Sequence, residues 1–487
     1  MKHHGHSRRR MLQSTLCGGL VAVPALRGFA GDQSHTSFAT KAKATANHTD
    51  RPLTVLIPLG SGANMLPVAE AFKTRSGVSI DFVEVPVEQI NTSILLNSLT
   101  GTNEFDLALA ATYGIPDLVA ANAILPLTEY ARQHEPSGFL DDALYVEGDS
   151  FNNDFYGYQT DGDAYVMFYN DRFLSNQKLA AEYEDRFGET LDLPATWDQL
   201  DRQMAFFHRP DDGMYGGLLF RTPGYVAWEW WVRMHAKGVW PLSADLTPQI
   251  ASDEGVEVLE EMIRASEHLV PLSSVDTGLF ENWARYEKGD VYCNIGWGGT
   301  QKFLNQRGSR MRGNMRFGPT PGGLIEGQQL ITPYFNWGWT YVVSASTDVA
   351  ELAYLFSCFA VSPEISTIAV QEKDGFFDPF RVEHYDDPII REIYSPEFLK
   401  VHEASMRGAI PDFYLAQRGA YFASLSEWLM RGLMGEVPAK DAMRRASEEW
   451  KLISIESGID RQMDRWQQLR KKYPPDVAKM LRDLPKH

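Results

Sequence analysis

Between Leu53 and Ala110 the chain alternates between strand and helix patterns, and that alternation restricts the folds open to it. "LTVLIPLG" is an apolar run of strand length. "ANMLPVAEAFKTRSG" places Met65, Val68, Ala69 and Phe72 on one helical face and stops at Gly77. "VSIDFVEV" alternates as a strand, residues 88–99 carry a helical pattern, and "FDLALA" reads as a further strand. A strand–helix–strand–helix–strand order builds a parallel sheet with covering helices. In such sheets ligands gather at the carboxyl ends of the strands. The first of those ends is "LGSGAN", whose Ser61 and Asn64 either face a cleft or turn the chain into its helix. It lacks the Gly-Lys-Ser/Thr of a phosphate loop.

At 487 residues the chain is too long for one small core, so two domains or lobes are expected. Past Tyr183 the pattern turns more helical. Thr196 is positioned as an N-cap before "WDQLDRQMAFF". "VAWEWWVRMHAKG" sets Trp228, Trp231 and His235 on one stripe, with Trp230 off it. "YCNIGWGGT" reads as a strand running into a Gly-rich loop, and "FNWGWTYVVS" as a later strand. Helices are predicted at roughly 348–360, 363–372, 395–406, 415–435 and 438–471.

The formal charge of −18 argues against nucleic acid and anionic membrane surfaces as partners, since both select basic patches. The N-terminus reads as an export signal. Arg8 to Arg10 precede a short apolar stretch, and the small residues Gly28 and Ala30 end it. The order Ser-Arg-Arg-x-Met-Leu-Gln resembles a twin-arginine signal, which sends the protein to the periplasm with cleavage after Ala30. Removing the five basic residues of 1–30 takes the charge from −18 to −23. Residues 31–50 are polar and read as a flexible linker. Cys293 and Cys358 sit in apolar settings; they pair in an oxidising compartment or remain two buried thiols. No Cys/His metal pattern is present, and no cofactor is expected.

"YQTDGDAYVMFYN", Tyr158 to Asn170, sets two carboxylates, Asp161 and Asp163, on Gly162 directly before a buried-looking run. Such a pair serves a turn, a metal, acid–base chemistry or a ligand clamp. As calcium ligands the two lack the rest of a loop, and as glycosidase acids they lack a distant partner. No nucleophile elbow, HExxH or Cys/His pair accompanies them. A carboxylate does accept sugar hydroxyls well, and aromatic rings stack on a sugar's apolar face.

"FDLALAATYGIPDLVAANAILPL", "YGYQTDGDAYVMFYNDRFL", "LPATWDQL", "GDVYCNIGWGG", "GWTYVVSASTDVAELAYLFSCFAVSPE" and "GLMGEVPAKDAMRRASEEW" follow one another along residues 105–450. In this order they resemble segments of the extracellular solute-binding proteins of ABC transporters, in the sugar-binding branch. The resemblance, spanning about residues 53–450, implies an α/β periplasmic-binding-protein fold of two lobes. Each lobe would be a mixed sheet flanked by helices, joined to the other by hinge strands and assembled from separate pieces of chain. The pieces would be 51–160 plus 322–374 for the N-terminal lobe, and 164–318 plus 380–487 for the C-terminal lobe with its helical tail. The chain departs from the pattern in its twin-arginine signal and in the tail beyond Trp450.

The resemblance also implies a function: a monomeric periplasmic component that captures a sugar or polyol and hands it to a membrane permease without doing chemistry. The residues expected at the ligand are Ser61, Asn64, Asp161, Asp163, Trp230, Trp297, Gly298, Asn336, Trp337 and Arg381. Two other readings are carried: acids plus rings that cage a cationic amine, and a secreted carbohydrate-active enzyme.

Overall fold

The computed structural model describes residues 34–46, 51–270, 279–335 and 338–485. Its larger sheets use strands β1 (Leu53–Pro58), β2 (Ile80–Val85), β3 (Leu107–Ala111), β4 (Gly157–Gln159), β5 (Val166–Asn170), β6 (Tyr215–Leu218), β7 (Val291–Gly296), β8 (Met315–Pro319) and β9 (Trp339–Val343). Helices named below are α1 (Ser34–Ala46), α2 (Gly62–Ser76), α3 (Trp197–Phe207), α4 (Val226–Ala236), α5 (Gly298–Leu304) and α6 (Ala350–Val361).

The first sheet runs β2-β1-β3-β9-β4. β1 pairs in parallel with β2 and β3, from Leu53 opposite Ile80 and from Val55 opposite Leu107. β9 then lies antiparallel between β3 and β4. Every residue of β3 and of β9 is buried, which is why their sequences are apolar without alternation. The second sheet runs β8-β5-β7-β6, with β5 antiparallel to both neighbours and β7 parallel to β6. The "AYVMFYN" run is therefore a strand at the heart of the second sheet, as its pattern predicts. The two-lobed α/β fold follows.

The chain passes between the sheets three times. It leaves β4 for β5 through residues 160–165, and leaves β8 for β9 through 320–338. After α6 and the helix Pro363–Val370 it crosses again, because the helix Pro396–Gly408 packs on β8 and β5. Bridges of Ala164 to Phe335 and of Tyr334 to Ile410 tie these segments to one another.

Two expectations need correction. Residues 34–46, read as part of a flexible linker, form α1. Phe38, Ala39 and Ala42 are fully or almost fully buried, and the helix packs on α6 and α2. Lys41 donates to the His134 carbonyl at 3.1 Å and His35 meets Glu364 at 3.1 Å. Tertiary burial of one aromatic face, rather than intrinsic propensity, holds so polar a helix. The predicted helix 438–471 is two, Ala439–Glu456 and Ile459–Arg470, broken where Gly458 takes a left-handed φ of 84°. Cys293 and Cys358 are separate buried thiols. The export signal lies outside the described residues.

Thr196 caps α3 as its sequence indicates. Its hydroxyl accepts from Gln199 N at 3.2 Å while Gln199 Oε1 accepts from Thr196 N at 3.3 Å. Thr196→Ala is expected to cost about 1 kcal/mol in urea unfolding. An unchanged midpoint would count against the reciprocal cap.

Candidate functional site

The first and third crossings meet at three carboxyls. One oxygen from each of Asp161, Asp163 and Asp378 lies within 4.8 Å of the others. Asp378 N donates to Asp161 Oδ1 at 2.5 Å. The Asp378 carboxyl accepts from Tyr394 Oη at 2.7 Å and from Gly299 N, in the first turn of α5, at 3.0 Å. Lys302, also on α5, donates to the carbonyls of Glu372 at 2.8 Å and Phe377 at 2.9 Å. So α5 of the second lobe grips the crossing loop that carries Asp378.

The packing explains the glycines. A Cβ on Gly162 would fall 2.0 Å from the Pro379 carbonyl oxygen. A Cβ on Gly298 would fall 2.3–2.5 Å from the Asp378 carboxyl atoms. Gly162 therefore serves the approach of two chain segments. Its carbonyl accepts from His402 Nε2 at 2.6 Å. A carbonyl only accepts, so that nitrogen carries the proton and Nδ1 is left to accept from Tyr385 Oη at 2.8 Å. Burial holds His402 neutral, with its pKa lowered to about 4.

Burial pushes all three carboxyls above the ordinary range. Asp163 is raised further by the charges of Asp161 and Asp378, and Asp161 by that of Asp378. Asp378 is raised only to about 6, because Lys302 and the bonds from Tyr394 and Gly299 offset its burial. Burial also lowers Lys302 to about 8. The three acids titrate as a set. A carboxyl raised in the folded state costs stability above its unfolded pKa, and the cost fades as pH falls. Asp163→Asn is thus expected to be more stable than the parent at pH 8, with the gap closing as pH falls from the raised pKa of Asp163 toward the ordinary carboxylate range. A gap independent of pH in parallel unfolding curves would show that Asp163 carries no raised pKa.

Asp163 opens on a cavity of about 40 Å³ that Tyr225, Trp283, Trp297, Trp339 and Phe376 also line. Among the described residues this leaves room for a water molecule and not for a sugar ring. A solute therefore enters only if the walls part. Trp297 stands at the end of β7 and is backed by Tyr165 at 5.0 Å, Phe220 at 5.3 Å and Tyr225 at 6.1 Å between ring centroids. The Gly298–Gly299 step, read as a loop, is the first turn of α5.

The structure thus brings Asp161, Asp163, Trp297 and Gly298 together. Others fall elsewhere. Trp230 is fully buried and its Nε1–H donates to the Gly255 carbonyl at 3.2 Å. All of α4 is buried, so being off the apolar stripe exposes nothing. Arg381 is fully buried as well. Its Nε donates to Val361 O at 2.9 Å, its Nη1 donates to Phe139 O at 3.2 Å, and it pairs with Asp142. It pins the third crossing to the first lobe. Asn64 is fully buried; its Nδ2 donates to Ala369 O at 2.8 Å and its Oδ1 accepts from Phe376 N at 2.9 Å. It therefore shapes the loop before Asp378 rather than facing solute. Ser61 is buried and does not reach the described cavity wall. Asn336 and Trp337 lie outside the described residues.

Sequence reasoning missed Asp378, Lys302, Tyr225 and Trp283. For Asp378 a signal existed: "GFFDPF" sets one acid among three phenylalanines, the same polar-in-apolar context that marked Asp161 and Asp163. Trp339, in the run "FNWGWTYVVS", is 3 % exposed and also stands on the cavity wall.

Two α/β lobes with acids and rings gathered where the chain crosses between them define a solute-binding protein. The family model of bacterial extracellular solute-binding proteins matches residues 68–392, and the chain belongs to that family. Solved structures share the fold. Maltose-bound MalE3 of T. maritima superposes with a TM-score of 0.68 at 18 % identity, covering 82 % of this chain and 100 % of that one. The ABC-transporter solute-binding protein of Agrobacterium radiobacter K84 in complex with ribitol gives 0.69 at 17 %, covering 83 % and 99 %. That of Agrobacterium vitis S4 with bound D-mannitol gives 0.68 at 16 %, covering 84 % and 99 %. No protein of curated function matches the chain.

Proposed function

We propose that this protein is the substrate-binding component of an ABC importer, and that it captures a carbohydrate or polyol between its lobes for delivery to a membrane permease. The observation that carries the reading is the carboxyl group of Asp163 on the aromatic-lined cavity between the sheets. The ligands of the fold relatives from T. maritima and the two Agrobacterium species support the solute class. Asp163 accepts hydroxyl protons, and Trp297 with Tyr225 supplies stacking faces. Lobe opening admits solute, and contacts from both sides select the closed form.

The lobes are 51–160 plus 322–374 and 164–318 plus 380–487. The protein works as a monomer in the periplasm, which it reaches by the twin-arginine route, and it carries out no catalysis. Against a glycosidase stands the placement of the acids: Asp163 is the one acid among the described residues lining the cavity, whereas such enzymes set two carboxyls to flank a scissile bond.

Calorimetry and thermal shift with a panel of sugars and polyols test the reading. A hit at a hundred times its Kd is expected to stabilise the protein by about 2.7 kcal/mol. Turnover of a glycoside by the purified protein, or silence toward the whole panel, would overturn it.

A further inference from the structure

The wall of the cavity is unusual in its charge. It carries aromatic rings and the carboxyl of Asp163, and behind Asp163 stand Asp161 and Asp378. Asp161 Oδ2 is fully buried, and the carboxyl of Asp163 is a hydrogen-bond partner of Asp161 that donates only when protonated. Glu88, exposed and next in sequence to the wall residue Val87, bears on the Tyr225 phenol. The positive charge on this cluster comes from Lys302, and two of its three N–H donors are spent on the carbonyls of Glu372 and Phe377. Glu372 and Asp374 add negative charge around that ammonium. Two buried carboxyls and the half-buried one of Asp163, against one partly engaged ammonium, leave the site short of a cation. A neutral sugar hydroxyl supplies a proton donor but no charge. A protonated amine supplies both, and the faces of Trp297, Trp283 and Tyr225 favour a cation over an anion.

We propose that the solute is an amine-bearing sugar or cyclitol, whose ammonium sits at Asp163 among the rings while its hydroxyl-bearing ring occupies the opened cleft. This rests on the carbohydrate reading above and narrows it. The ammonium takes the place of the protons that the empty acid cluster holds, so its binding releases protons to the buffer.

Matched pairs give the test on the full mature chain, at a pH below the amine's pKa: glucosamine, glucose and N-acetylglucosamine, then glucamine and sorbitol. In at least one set the amine is expected to bind about ten-fold or more tighter than its neutral members. Its enthalpy is expected to change with the ionisation heat of the buffer. Asp163→Asn is expected to remove most of that preference. If that variant does not fold, the matched pairs on the unsubstituted protein decide alone. Equal affinity for amine and neutral members would overturn this proposal and leave the carbohydrate reading standing. Binding of putrescine or choline with silence toward every sugar would overturn both readings. Stabilisation by calcium chloride alone would mark a metal site at the three acids and overturn the proposal.

Discussion

Gly162→Ala is expected to cost the fold about 3 kcal/mol, at the upper end for inserting one methyl into a packed site. The added Cβ would stand 2.0 Å from the Pro379 carbonyl oxygen, 2.9 Å from its carbon and 3.3 Å from His402 Cε1. Two of those atoms are backbone, so no side-chain rotation relieves the overlap. The crossing segments must separate. Separation breaks the bond from His402 to the Gly162 carbonyl and moves Asp161 away from Asp378 N. Urea unfolding reads the loss, and solute affinity is expected to fall with it because Asp163 moves too. A midpoint within about 0.5 kcal/mol of the parent, the ordinary range for an innocuous surface change, would mean that the two crossings are not in contact in solution.

Arg381→Ala is expected to be costlier still, about 3–5 kcal/mol, because it strips two buried carbonyls of a charged donor and leaves a cavity where the guanidinium packed. The guanidinium is fully buried between the Phe139 and Phe380 rings, with its carbon 5.4 and 5.8 Å from their centroids. Its removal leaves the carbonyls of Val361 and Phe139 without this donor and Asp142 without its partner. Arg381→Lys keeps a charge but not the planar fork, and is expected to recover only part of the loss. Equilibrium unfolding separates this from a ligand role. A loss below about 1 kcal/mol, coupled to a large fall in solute affinity, would return Arg381 to the binding site.

The sequence pattern carried the architecture well where burial is two-sided. "LTVLIP", "LALAA" and "VMFYN" have no alternation because both faces of β1, β3 and β5 are covered. It failed at α1, whose sequence "SHTSFATKAKATA" offers one large apolar residue. The surfaces of α2 and of α6, the latter some three hundred residues later, make that helix favourable. It also split the candidate site unevenly. Asp161, Asp163 and Trp297 stand out because each is a polar or bulky group in an unlikely local setting. Arg381 is marked by the family resemblance alone, and its setting is a buried bracket between two chain segments. Local context marks a residue as special and leaves open whether a ligand or another part of the chain makes it so. Trp230 shows the reverse limit, because a helix packed on all sides gives no polar face from which to read direction.

The placement of β9 bears on how the protein is made. β5 to β8, residues 166–319, supply every strand of the second sheet. The first sheet stays split, with β4 unable to join β3, until Trp339–Val343 emerges to lie between them. During synthesis the later-encoded lobe can therefore complete its sheet before the lobe that began first. Helix α1, the first among the described residues, waits for the larger part of its packing surface, since α6 ends at Val361. Until then α1 has α2 but not α6 to dock on, so its full docking reports that α6 is in place.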